Sequence, residues 1–178
     1  SLYGIRCTGL RFFTVYGPMG RPDMAVWLWT DAIMKGLPIK LFKQPDGSGM
    51  KRDFTYISDI VDGVQAAVDL SASYEVFNLG RGMPLPIEDT IKYIAEDTHM
   101  KPIIQIKEMS AADVPSTSSD TSHAHELLGY SPQVTLKQGV AEFVRWFKEY
   151  KKDKKTYRSL KGVRGVKVYS KSKDKFPH

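Results

Sequence analysis

The sequence predicts an α/β protein. Three observations carry this reading: short runs of β-branched and aromatic residues recur between Thr8 and Lys107, segments of helical periodicity separate them, and turn or cap residues stand at the junctions. With 42% apolar and 26% charged residues the composition is that of an ordinary globular domain, and 178 residues suffice for one hydrophobic core.

The elements follow in order. Thr8–Val15 is rich in β-branched and aromatic side chains with few polar breaks, the pattern of a strand covered on both faces, and Tyr16-Gly17-Pro18 ends it. Pro22-Asp23 opens a helix through Lys35, with Asp23 as N-cap and Gly36 at the stop. Ile39–Phe42 and Arg52–Ile57 read as short strands around the turn sequence Pro45-Asp46-Gly47-Ser48-Gly49. Ser58 is the expected cap of a helix reaching about Leu70, with Asp59 and Asp62 in its first turn. Glu75–Leu79 reads as a second buried strand, broken by Gly80-Arg81-Gly82. Pro86 suits the first turn of a helix to about Thr98. Ile103–Lys107 is a further strand, Ser110–Ser122 an irregular Ser-rich segment, and Ala124–Leu128 a short helix stopped by Gly129. Thr135 and Gln138 form a capping box before Leu136, Val140, Phe143, Val144 and Phe147, which repeat at helical spacing. Only two strands read as buried on both faces, so the sheet is expected to be incomplete.

Charge divides the chain. The net charge is +6, yet residues 151–178 hold 11 Lys/Arg against 2 Asp/Glu, leaving 15 against 18 in residues 1–150. The tail's apolar residues are too sparse for a core, so it reads as a mobile, solvated extension. No aromatic platform accompanies its charge, so nucleic acid is not expected as a partner, nor is a membrane for this segment. The Trp27-Leu28-Trp29 run reads as packing. The single cysteine, Cys7, excludes an internal disulfide and a cysteine zinc site, no apolar run is long enough for a bilayer span, and no signal-peptide pattern opens the chain. Ser1 in place of Met hints at a piece of a longer protein. His123-x-His125 has no third ligand nearby and reads as solvated. Gly80-Arg81-Gly82 lacks the third glycine of a dinucleotide-binding turn and runs into Met-Pro-Leu-Pro, which rejects it as a phosphate cradle.

The blocks TGLRFFTVYGPMGRPDMA, KRDFTYISDIVDG, VFNLG, DVPSTSSD and LGYSPQVTLKQGVAEFVRWFKEY stand in unbroken order from about residue 1 to residue 150. Together they resemble the C-terminal half of UDP-glucuronate 4-epimerases, a family of NAD-dependent extended short-chain dehydrogenases/reductases. The resemblance implies the last strands of an NAD-binding Rossmann sheet plus the small α/β substrate-binding domain, truncated at the N-terminus. It places the glycine-rich turn for NAD and the catalytic Tyr-x-x-x-Lys pair upstream of this chain, so no catalytic residue is expected within it. Residues 1–150 would be the substrate-binding portion and 151–178 the basic tail. The whole protein would be a homodimer in the cytoplasm, with room for a membrane anchor in the missing part.

What remains is recognition of a nucleotide sugar, whose two phosphates call for cationic forks. By resemblance, Arg52 contacts the diphosphate and Arg21 the sugar–diphosphate end. Thr14 helps to hold the glucuronate carboxylate, Phe42 supports uracil, and Asp113 accepts the ribose hydroxyls. Val15 and Tyr16 line the nicotinamide pocket. Read without the resemblance, each arginine could form a surface ion pair, Thr14 could be an ordinary strand residue, Phe42 and Tyr16 could be core, and Asp113 a turn former. The chain departs from the pattern at Ser110-Ala111-Ala112, where relatives carry Gln or Arg and then Gly, which removes a diphosphate donor. A UDP-glucose 4-epimerase, a nucleotide-sugar 4,6-dehydratase, and a non-catalytic module using the basic tail stay open as alternatives.

Overall fold

The structure, a computed structural model, describes residues 3–70, 74–110 and 113–160, with side chains considered to residue 152. The apolar run that opens the chain is two strands, not one: β1 (Cys7–Phe12) and β2 (Thr14–Tyr16). The break at Phe13 is a change of partner. β1 pairs in parallel with β6 (Tyr74–Leu79), from Cys7 opposite Tyr74 to Phe12 opposite Leu79. β2 pairs in parallel with β5 (Phe54–Tyr56), Thr14 opposite Phe54. The handover is visible in the backbone: Phe13 N–H still reaches Leu79 O at 3.2 Å, while Thr14 N–H turns to Asp53 O at 3.1 Å. The expectation of a strand covered on both faces fails for β1, where Phe12 is 51% exposed.

The segment read as one strand from Arg52 is likewise divided, into β4 (Lys51–Arg52) and β5, with Asp53 between them. β4 pairs antiparallel with β7 (Leu85–Pro86), and β3 (Pro38–Lys43) pairs in parallel with β8 (Ile103–Glu108). Buried Ile39 and Leu41 alternate with exposed neighbours along β3, the period-two signature of a one-sided strand. The Pro45–Gly49 turn holds as read: Gly47 takes φ +83°, and Ser48 N–H donates to Asp46 Oδ1 at 2.8 Å.

The helices are α1 (Ala25–Met34), α2 (Ile57–Asp69), α3 (Ile87–Thr98), α4 (Ser122–Leu128) and α5 (Leu136–Leu160). Asp23 does not cap α1; Met24 takes the cap position without a side-chain bond, because Asp23 is engaged by Arg21. Gly36 does end the helix, at φ +64°, with Leu37 N–H returning to Ala32 O. Tyr56, not Ser58, precedes α2, so Ser58 lies in its first turn. The capping box is formed as expected: Gln138 Oε1 accepts from Thr135 N–H at 3.0 Å, and Gln138 N–H donates to Thr135 Oγ1. α5 continues to Leu160, into the segment read as the basic tail. Residues 161–178, the rest of the basic tail, lie outside the described residues.

Two apolar clusters organise these elements. The larger gathers Val140, Phe143, Val144 and Phe147 of α5 with Ile91 and Ile94 of α3, Ile33 of α1, Ile39 and Leu41 of β3, and Phe54 of β5. The smaller joins Ile60 of α2, Phe77 and Leu79 of β6, Ala124 of α4 and Tyr130. Full burial of a Val or Phe side chain contributes about 1.5–3 kcal/mol, so the α5 stripe is the main tie between helices and strands in the larger cluster. Val15 packs on the smaller cluster and Tyr16 belongs to the larger. The short strand β2 therefore joins the two, and Thr14 stands at its start.

Candidate nucleotide-sugar cleft

A cleft of about 590 Å³ opens between α1, β3 and the β4–β5 segment. Met50, Phe54 and Ile87 form apolar lining, and Leu28 and Trp29 contribute from α1. Thr14, Asp23, Lys40, Phe42 and Arg52 bring the polar, charged and half-exposed aromatic groups to it. An apolar cleft with a few convergent polar groups is the usual form of a small-molecule site.

Of the residues singled out from sequence, Thr14, Phe42 and Arg52 line this one cleft, although they come from β2, β3 and β4. Phe42 leaves 39% of its surface exposed, which its outward register position on β3 dictates. The Arg52 guanidinium is held by backbone: Nη1 donates to Lys51 O at 2.8 Å and to Pro115 O at 3.3 Å. These carbonyls leave the remaining N–H groups of the fork for an anion.

Arg21 lies just outside the lining. Its Nε donates to Asp23 Oδ1 at 3.1 Å and its Nη2 to Oδ2 at 2.5 Å, and both side chains are largely exposed. The hydrogen bonds that Arg21 donates to Asp23 hold the carboxyl below its ordinary range and raise the guanidinium above its own. Asp113 is on the adjacent irregular segment, in a reciprocal turn with Ser110: its N–H donates to Ser110 O at 2.9 Å, and its Oδ2 accepts from Ser110 N–H at 3.3 Å. That segment is laid along β4, with Lys51 N–H donating to Pro115 O at 2.9 Å and Thr117 N–H to Lys51 O at 3.3 Å.

Val15 and Tyr16 face inward. The Tyr16 ring stands edge-on to Phe54 and Tyr56, and its hydroxyl donates to Leu136 O at 3.3 Å. Burial pushes its phenol well above the ordinary range. Its side chain is core, the second of the two readings the sequence allows. His123 stacks on Phe77 and meets Glu75 Oε2 at 2.8 Å through Nε2, so the His-x-His pair is not a pair of free ligands.

Sequence reasoning missed two residues of this region. Asp53 is fully buried. Its Oδ1 accepts from Arg81 N–H at 2.9 Å, and its Oδ2 from Gly82 N–H at 3.0 Å and Ser119 N–H at 2.8 Å. Ser119 Oγ donates to the same oxygen at 2.5 Å. A carboxylate inside the segment Arg52–Ile57, read as a strand, was the available signal; nothing local marked Ser119 among its serine neighbours. The two amides of Gly80-Arg81-Gly82 thus serve Asp53, which gives a structural reason why this turn is no phosphate cradle. Among the described residues no helix is long and apolar enough to cross a membrane.

Residues 1–80 match the NAD dependent epimerase/dehydratase family. The "uncharacterized protein MJ1055" of Methanocaldococcus jannaschii is 43% identical over 150 residues, covering 84% of this chain and 45% of that protein. UDP-glucuronate 4-epimerase 4 of Arabidopsis thaliana is 41% identical over 163 residues, covering 84% of this chain and 37% of the relative. The solved structure of MoeE5 in complex with UDP-glucuronic acid and NAD superposes with a TM-score of 0.74 at 30% identity, over 82% of this chain and 48% of its own. The chain spans less than half the length of these relatives. With the match over residues 1–80 and the likeness carried by relatives across 84% of its length, this chain belongs to the NAD dependent epimerase/dehydratase family.

Proposed function

We propose that this chain, through residues 1–150, is the substrate-binding part of an NAD-dependent UDP-glucuronate 4-epimerase, a protein that interconverts UDP-glucuronate and its C4 epimer. The observation that carries the reading is the convergence of Thr14, Phe42 and Arg52 on one cleft, each matched to a different piece of a UDP-sugar. Arg52 grips the diphosphate, since a forked cation fits phosphate oxygens and its two backbone bonds hold it ready. Phe42 offers uracil a flat apolar face, and Asp113 accepts from the ribose hydroxyls. Thr14 donates its hydroxyl to the glucuronate carboxylate, and Arg21 stands at the sugar–diphosphate end with Asp23 as its counter-ion.

NAD would supply the hydride acceptor and donor that exchange of C4 epimers requires. The Gly80–Gly82 turn has no free amides to offer a dinucleotide at Arg81 and Gly82, which Asp53 takes, and Tyr16 spends its hydroxyl on Leu136. The part proposed for this chain is therefore recognition, with Val15 and the backbone of Tyr16 as its edge toward a nicotinamide. The homodimer expected of the family belongs to the same proposal for the whole protein.

Calorimetric titration with UDP, UDP-glucuronate and UDP-glucose tests the assignment. Arg52→Ala should weaken all three by about tenfold to a hundredfold, the loss expected for a charge-assisted hydrogen bond of about 1.5–3 kcal/mol. Thr14→Val keeps the shape and removes the hydroxyl, so UDP binding should stay nearly unchanged while the preference for UDP-glucuronate over UDP-glucose shrinks. If Thr14→Val weakens UDP as much as Arg52→Ala does, the carboxylate assignment fails and a general UDP-hexose epimerase takes its place.

A further inference from the structure

Asp53 and Ser119 lie behind the cleft and line no part of it, yet they join the pieces that must be in register for a nucleotide to bind. The Asp53 carboxylate is fully buried and is met by four N–H or O–H donors from two separate segments, the Gly80–Gly82 turn and Ser119. Burying a carboxylate is costly unless its oxygens are hydrogen-bonded, so the arrangement tolerates little displacement of either segment. Gly80 allows the close approach: a Cβ there would stand 2.2 Å from Ser119 Oγ and 2.9 Å from Asp53 Oδ2. Along the chain Asp53 follows Arg52 directly, and its N–H donates to Thr117 Oγ1 at 3.3 Å. Its carbonyl accepts from Thr14 N–H. Ser119 anchors the segment that begins at Asp113 and touches Arg52 through Pro115.

We propose that Asp53 and Ser119 are positioning residues of the nucleotide-sugar cleft, a buried pair that seats the segment carrying Asp113 beside the strand carrying Arg52. The inference rests on the roles proposed above for those two residues. It makes ribose recognition depend on a serine that touches no ligand.

The test uses the whole 178-residue chain and two probes, UDP and 2′-deoxy-UDP, titrated calorimetrically. In the unaltered chain Asp113 should favour UDP by about tenfold, as expected for a hydrogen bond to a charged acceptor. Ser119→Ala should bring UDP to the level of the deoxy probe and leave the deoxy probe's own affinity within about twofold. Asp113→Ala should do the same, and the double variant should lose nothing further, the non-additivity of residues acting through one another. Thr117→Val removes the same segment's other side-chain bond to Asp53 and should lower the preference to a smaller extent; it decides the matter if Ser119→Ala does not fold. A preference for UDP that survives both substitutions, or an equal loss for both probes, overturns the positioning role. A chain that binds neither probe overturns the nucleotide-sugar reading first, and the positioning role with it.

Discussion

Replacing Gly139 by alanine at the end of the first turn of α5 should destabilise the protein, against the usual sign of that substitution. In a helix interior Gly→Ala ordinarily stabilises by about 1 kcal/mol, because alanine loses less backbone freedom on folding. Here the added Cβ would stand 2.2 Å from the Tyr16 hydroxyl oxygen, 2.8 Å from Tyr16 Cζ and 2.8 Å from Tyr56 Cδ2. The Tyr16 ring has little freedom to retreat, since Phe54 and Tyr56 flank it at 6.0 and 5.6 Å and its hydroxyl is bonded to Leu136 O. Overpacking of this kind costs about 1–3 kcal/mol, and a lost hydrogen bond adds about 0.5–1.5 kcal/mol. Set against the propensity gain, the net loss should be about 1–3 kcal/mol, read as a lower urea midpoint at unchanged slope by circular dichroism. Tyr16→Phe removes the atom in closest conflict, so the double variant Gly139→Ala/Tyr16→Phe should recover about 1 kcal/mol relative to additivity. A Gly139→Ala protein as stable as the unaltered chain, or more so, would refute the packing of β2 against α5.

Two further outcomes are expected. Asp31 of α1 sits between Lys35 and Lys151, each at 2.5 Å; partial burial pushes its carboxyl up, but the hydrogen bonds from Lys151 and Lys35 outweigh this and hold it below the ordinary range. A lowered folded-state pKa contributes stability that is present above the unfolded value of about 4 and lost as pH falls through the folded one. Lys151→Ala should therefore cost under about 1 kcal/mol at neutral pH, the scale of a partly exposed pair, and the difference should fade in thermal melts as pH falls below the unfolded value. Incubated with NAD and UDP-glucuronate, the 178-residue chain should give no C4 epimer by chromatography; turnover would refute the assignment of recognition alone to these residues.

Much of this molecule was legible in its order of residues. The α/β class, five helices, the stops at Gly36 and Gly129 and the Thr135–Gln138 box all follow from local chemistry. Periodicity, turn conformation and capping act over a few neighbours, so a linear reading captures them. The site residues were named by likeness to a family, and Thr14, Phe42 and Arg52 do share a cleft. Partner choice was not legible. The run through Val15 divides because Phe13 still bonds Leu79 while Thr14 turns to Asp53, positions 66 and 39 residues away, and no local preference encodes such an exchange. Asp23 reads as a helix cap until Arg21 claims it, and Tyr16 reads equally as pocket wall or core until Leu136 O and the α5 face surround its side chain. Asp53 is the plainest case. Its neighbours in sequence mark a strand, while its meaning comes from donors at Arg81, Gly82 and Ser119. Sequence determined which segments become helix, strand and turn, because those preferences are short-ranged. The tertiary structure decided which strands pair, which carboxylate is buried and which aromatic faces a cleft, because each depends on groups brought together only when the chain folds.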